Sequence, residues 1–140
     1  MSDILLVTVD GSPQSLKAID YAVKLAHTSG FTIELLHVQS KINTHYANKK
    51  IGKKQLLEYK KEEAIKILDM GRKRVDKGIN MRVKWRLGIT SREICDEADK
   101  VEAIGIIMGV KNMGKVKGRL LGSTCYSVIR NAPCPVMLVS

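Results

Sequence analysis

Aromatic residues are scarce. One phenylalanine, one tryptophan and four tyrosines make up 4% of the chain, against a hydrophobic share of 44%. Aliphatic side chains must therefore fill the core, and 140 residues suit one compact domain, 1–140, with a single core. No apolar run approaches the roughly 20 residues that a membrane span needs. The N-terminus, MSDILLVTVDGS, carries Asp3 where a secretory leader would be basic, and it runs directly into a strand pattern. With no targeting segment, the expected location is the cytoplasm. Cys95, Cys125 and Cys134 stand apart without CxxC or Cys/His spacing, and His27, His37 and His45 form no cluster. These spacings argue against a metal centre or a Cys/His nucleophile, and an odd number of cysteines in such a chain reads as reduced thiols. Hydrolytic motifs are missing too. There is no paired-carboxylate motif, no Ser/His/Asp arrangement, no GxSxG elbow, and DGSPQS stands where an SGGxDS loop would follow the first strand. No residue is a candidate catalytic group.

Positive charge is what the chain has in excess: 24 Lys and Arg against 14 Asp and Glu, a formal +10. Much of it lies in KINTHYANKKIGKKQLLEYKK, residues 41–61. Such a run is either a solvated loop and helix face or an attractor of anions, whether nucleotide, nucleic acid or acidic lipid. Only Tyr46 and Tyr59 stand near its lysines as stacking partners, which is little for single-strand recognition.

Apolar strands and amphipathic helices alternate along the chain. DILLVTV (3–9) has almost no polar face, as in a strand buried on both sides. Ser12 is a natural N-cap, Pro13 fits the first helical position, and Leu16, Ile19, Ala22, Val23 and Ala26 line one helical face before Gly30 closes the helix. FTIELLHV (31–38) reads as the second strand. A helix is predicted over 54–77 on Leu57, Ala64, Ile65, Leu68 and Val75, closed by Gly78. A third strand follows at 79–88. A short helix at 90–100 opens on a capping box of Thr90 and Glu93. AIGIIMG (103–109), a helix at 123–131 and PVMLVS (135–140) complete the series. The pattern predicts an α/β fold: an open five-stranded parallel sheet with helices on both faces. Ligands of such sheets bind outside the carboxyl ends of the strands where strand order reverses, so DGS after the first strand and MGVKNMG after the fourth are the segments to examine.

MGVKNMGKVKGRLLGST (108–124) holds four glycines among basic residues. GVKNMGKV nearly matches the Walker A loop, but Val116 occupies the position that needs a hydroxyl for Mg²⁺, and Gly118 falls where the helix should propagate. The longer spacing is more telling. Gly109, two residues, Asn112, nine residues and Gly122-Ser123 resemble the Gly-x2-Gly-x9-Gly-Ser/Thr nucleotide motif of the universal stress protein family. VTVDGSPQSLKAIDYAVKLA is similar to that family's first strand and helix, LLHV to its second strand end, and RNAPCPVMLV to its closing segment. The resemblance spans essentially the whole chain in order.

It implies a Rossmann-like fold of the adenine nucleotide α-hydrolase type and ATP as ligand, with Mg²⁺ or Mn²⁺ as its companion. Asp10 would meet the nucleoside or a metal, and Val38 would line the adenine. Gly109 would let the chain pass a ribose or phosphate without a Cβ. Gly122, the Ser123 hydroxyl and the Thr124 N–H would receive phosphate at a helix N-terminus. Each has a structural counterpart reading: turn and cap glycines, Ser123 as N-cap, Asp10 bracing its own turn, Val38 as core. Asn112 departs from the motif's second glycine. It tolerates positive φ and its amide can donate to a phosphate oxygen, or it crowds the ligand. Ile104 and Gly105 stand where the family usually has an acid, while Gly114 matches a glycine common in its ATP-binding members. Lys111, Lys115, Lys117 and Arg119 read as solvated side chains that can screen phosphate.

The expected function is that of a small cytoplasmic, ATP-binding stress-response regulator or sensor, with slow hydrolysis at most. The resemblance implies a homodimer, pairing the terminal strand 135–140 of two copies, and a protein partner of unknown identity. The alternative is a dimeric partner-binding module that has lost its nucleotide. Nucleic-acid association through 41–61 is the third reading.

Overall fold

Ile4 to Thr8, ILLVT, form a strand (β1) because β-branched and aliphatic side chains without a polar face fit a sheet covered on both sides. Leu6 and Val7 are fully buried, on opposite faces. The computed structural model describes residues 2–40, 45–110 and 122–140, with backbone alone for 45–51. Helix α1 (Pro13–Ser29) starts as the sequence predicts. The Ser12 Oγ accepts from the Ser15 N–H at 3.2 Å, and Pro13 sits in the first turn. It stops at Gly30, whose φ of 73° no β-carbon residue adopts cheaply and whose N–H bonds the Ala26 carbonyl at 2.8 Å. Ala18, Ile19, Ala22, Val23 and Ala26 are its buried stripe, with Leu16 at the margin.

Strand β2 (Thr32–Ser40) is followed by helix α2 (His45–Arg72), then β3 (Met81–Gly88), α3 (Thr90–Lys100), β4 (Gly105–Gly109), α4 (Ser123–Asn131) and β5 (Val136–Val139). All strands pair in parallel in the order β3-β2-β1-β4-β5. The chain winds outward through β2 and β3, then returns to place β4 on the other side of β1, so strand order reverses between β1 and β4. Helices α1 and α2 pack on one face, against Leu5, Val7, Ile33, Leu35 and Ile107. Helices α3 and α4 pack on the other, where Ile94, Ala98 and Val128 meet Leu6, Leu36, Ile106 and Met108. Alternation along each strand thus divides the two half-cores, as a period of two requires. In β5, Val136 and Leu138 face the α3–α4 side, while Val139 packs toward α1 and α2 and Met137 is exposed.

Four expectations are corrected. Helix α2 begins earlier than predicted, taking in part of the lysine-rich connection, and breaks at Gly52 (φ 69°, ψ 161°). It also ends at Arg72, not Lys77: the chain turns over 73–76, with the Arg74 N–H bonded to Gly71, and Val75 reaches the core from that turn. Of its predicted apolar face, Ala64 and Leu68 are buried, but Leu57 and Ile65 are exposed, since the face that meets the sheet runs through Ala64, Ile67, Leu68 and Gly71. The capping box is absent. Ile89 is the N-cap of α3, Thr90 is its first helical residue, and the Glu93 carboxylate turns to Arg86 instead. A charged partner across the β3–α3 junction outcompetes a local backbone N–H.

Candidate functional site

The reversal of strand order leaves a crevice at the carboxyl ends of β1, β2 and β4. A cleft of about 310 Å³ opens there, within the range of small-molecule sites. β1 and its continuation supply Thr8, Val9 and Asp10; β2 supplies Leu36, His37 and Val38; β4 supplies Met108 and Gly109. The rim is completed by Thr90 and Ile94 of α3 and by Thr124 and Cys125 of α4. A second hollow of about 490 Å³ adjoins it through Thr90 and Thr124, and is lined by hydroxyls of Ser40, Ser91, Ser123 and Ser127. Apolar walls below and hydroxyls above suit a ligand with a flat apolar part and a polar tail.

Asp10 lies at the end of β1 with one carboxylate oxygen accepting from the Ser12 N–H at 2.9 Å, an Asx turn that starts the path into α1. Its own N–H points at the Ser15 Oγ at 3.5 Å. Partial burial pushes its carboxyl up, but hydrogen bonds from Ser12 and Ser15 outweigh this and hold it below the usual carboxylate range. Asp10 therefore presents an anion to the cleft while bracing the turn. Burial, and after it the same carboxylate, pushes the Cys125 thiol up.

The two motif glycines differ in role. A β-carbon on Gly109 would overlap the backbone of Gln14 and Ser15 in the first turn of α1. Gly109 is thus needed for close packing of β4 against α1, a reason independent of any ligand. A β-carbon on Gly122 would meet nothing within 4 Å. Gly122 is the N-cap of α4, in ordinary extended geometry (φ −64°, ψ 162°), and among the described residues no side chain caps the helix. Ser123 is the first helical residue, not the cap, and it faces the second hollow, while Thr124 borders both cavities. Among the described residues, the opening N–H groups of α4 have no side-chain acceptor, and such a helix start is receptive to an anion.

Val38 is partly buried and lines the cleft. Asp10, Val38, Gly109 and Thr124 therefore converge on one cavity, and Ser123 stands on its neighbour. Asn112, Gly114 and the loop's basic residues lie outside the described residues. Sequence reasoning passed over His37, Thr90 and Ile94. His37 is buried, with Nδ1 2.6 Å from the Val9 carbonyl and Nε2 2.6 Å from Oε1 of Gln39. The Nδ1–H donates to Val9 and ties the ends of β1 and β2 together beneath the cleft. The placement rule that pointed to the ends of strands one and four extends to the start of α3, which follows the third strand; applied there, it finds Thr90. Among the described residues, no three His, Cys, Asp or Glu side chains converge as metal ligands, and no helix is long and apolar enough to cross a membrane.

An open parallel sheet with an apolar cleft at its reversal point and a helix N-terminus beside it defines a Rossmann-like α/β protein. The model of the universal stress protein family matches residues 1–140, and the chain belongs to that family. Universal stress protein YxiE of Bacillus subtilis is 30% identical over 153 aligned positions, covering 99% of each chain. UspA of Lactobacillus plantarum superposes with a TM-score of 0.79 at 25% identity, over 98% of this chain and 97% of that one. The universal stress protein of Archaeoglobus fulgidus, solved in complex with dAMP, shares the fold with a TM-score of 0.67 at 21% identity, covering 100% and 98%.

Proposed function

We propose that the chain binds an adenine nucleotide, ATP, in the cleft between β1, β2 and β4, and acts as a dimeric cytoplasmic stress-response regulator whose surface changes with occupancy. The observation that carries this reading is the bare start of α4, Gly122 through Thr124, set against an apolar cavity at the sheet's reversal point. Leu36, Val38, Ile94 and Met108 offer aliphatic walls for the base. Asp10, ionised and facing the cleft, is the acceptor for ribose hydroxyls. The N–H groups at the start of α4 and the Ser123 and Thr124 hydroxyls receive the phosphates. Asn112 would contribute its amide from the connecting segment, and Mg²⁺ or Mn²⁺ would come with the triphosphate. The dAMP complex of the Archaeoglobus relative supports a nucleotide at this fold's site. The dimer is supported by β5, an edge strand with Met137 exposed.

The test is direct. Protein purified under native conditions is denatured, and the released small molecules are separated and identified, with Gly122→Val in parallel. Adenine nucleotide is expected from the wild type and not from the variant. A wild type that releases none and fails to bind added Mg-ATP overturns the reading in favour of a nucleotide-free dimeric module.

A further inference from the structure

Two carboxylates are buried where α3 crosses the sheet, away from the cleft's polar rim. Glu34 of β2 is 2% exposed and Glu97 of α3 is 1% exposed. Each has one basic partner from β3: Arg82 Nε donates to Glu34 Oε1 at 2.5 Å, and an Arg86 terminal nitrogen to Glu97 Oε1 at 2.8 Å. Arg86 also holds Glu93 at 2.8 Å. Among the described residues, the remaining oxygen of Glu34, Oε2, is enclosed with no N–H or hydroxyl to satisfy it. Glu34 lies on the Leu36 side of β2, the side that α3 covers, where the buried carboxyl of Glu97 is its neighbour. Two bare carboxylates side by side inside a protein repel strongly, and Glu34 Oε2 would remain short of a donor.

We propose that Glu34 and Glu97 share one proton across the β2–α3 interface, and that its loss loosens α3 from the sheet, making the seating of this helix sensitive to pH. The groups facing the pair are few. β3 presents Arg82, Lys84 and Arg86; α3 presents Glu93 beside Glu97; β1 places Leu6 in register with Glu34 and adds no charge. Burial first, then the Glu97 contact and charge, push Glu34 up to about 7 in spite of Arg82. Burial also works to raise Glu97, but the hydrogen bonds from Glu34 and Arg86 and the charges of Lys84 and Arg86 hold it low. The proton therefore resides on Glu34, which donates to Glu97.

The direction follows by linkage. The contribution of Glu34, raised from 4.5 to about 7, is fully present below the lower value and is lost as pH rises through the upper one. Glu97, being depressed, contributes above 4.5 and loses its contribution as pH falls. Helix α3 is consequently seated best in mildly acidic solution and loosens toward alkaline pH. Because α3 carries Thr90 and Ile94 to the cleft, the cleft wall moves with it. The shared proton does not depend on whether that cleft takes a nucleotide.

Amide hydrogen exchange of the full chain tests this, corrected for the intrinsic pH dependence of exchange. Between pH 6 and 8.5, the protection of residues 91–100 in the wild type is expected to fall about tenfold, while α1 on the opposite face holds. Glu34→Gln, which fixes the neutral donor, is expected to abolish the change. Equal loss in the variant, or no loss in the wild type, overturns the proposal. Should the variant not fold, carboxyl-carbon NMR of glutamate-labelled wild type decides. A Glu34 resonance titrating near 7 supports the shared proton, and one titrating in the ordinary carboxylate range removes it.

Discussion

Helices α1 and α4 both begin beside the cleft, and they begin differently. Helix α1 consumes its own loose ends: Ser12 accepts from Ser15, and Asp10 accepts from Ser12. Helix α4 begins on Gly122, and among the described residues no side chain accepts its first N–H groups. The two motif glycines repeat the contrast. Gly109 is pressed against the α1 backbone, whereas Gly122 faces open space. Gly109 serves the packing of the fold, and Gly122 meets no such packing constraint among the described residues. Shared motif membership therefore hides different surroundings: one glycine is fixed by steric packing against α1, and the other is not.

Substitution can break this contrast at either end. Gly109→Ala should have the largest effect, because its methyl group meets fixed backbone that no rotamer change can clear. We expect a loss on the order of 3 kcal/mol in urea unfolding, with β4 displaced from α1. An unchanged midpoint would show that the close packing is dispensable. Gly122→Asp converts the start of α4 into one like that of α1, supplying a cap and a negative charge. Stability should rise by about 0.5–1 kcal/mol, while affinity for adenine nucleotide, read by calorimetry, falls by about tenfold or more. Tighter binding in this variant would place the phosphates elsewhere.

Ser12→Ala removes the cap of α1 and should cost about 1 kcal/mol in thermal unfolding. Its effect on nucleotide affinity should be much smaller than that of Gly122→Asp, since Ser12 serves the helix and not the cleft. Asp10→Asn keeps an acceptor for the Ser12 N–H, so the shift in stability at neutral pH should stay within about 0.5 kcal/mol. The wild-type carboxylate, depressed below 3.8, contributes above that value and loses its contribution as pH falls through its folded value. The gap between wild type and Asp10→Asn should therefore close in strong acid, and a constant gap down to that range would show that the Asp10 hydrogen bonds are not made in solution.

Much of the cleft was legible because its residues occupy positions that local chemistry marks. Asp10 and Val38 end strands with clear apolar runs, and Ser12-Pro13 announces a helix start. Thr90 was misassigned because a capping box is a local pattern, and the choice of Glu93 between a nearby N–H and Arg86 on β3 is settled by distance in space. The length of α2 was misjudged for a related reason. Val75 follows the helical period in sequence, yet the chain leaves the helix after Arg72 and delivers the same side chain to the core from a turn.

The sequence by itself determined the alternation of strands and helices, the caps of α1, the reversal of strand order beside which a cleft lies, and the family motif. These are local periodicities and fixed spacings, and side-chain chemistry enforces them wherever the chain folds. Only the tertiary structure decided that Gly109 is held by α1, that His37 ties β1 to β2, and that Glu34 meets Glu97. Each of these is a contact between elements far apart in the chain, and its energy exists only once packing has brought the two groups together and excluded water from between them.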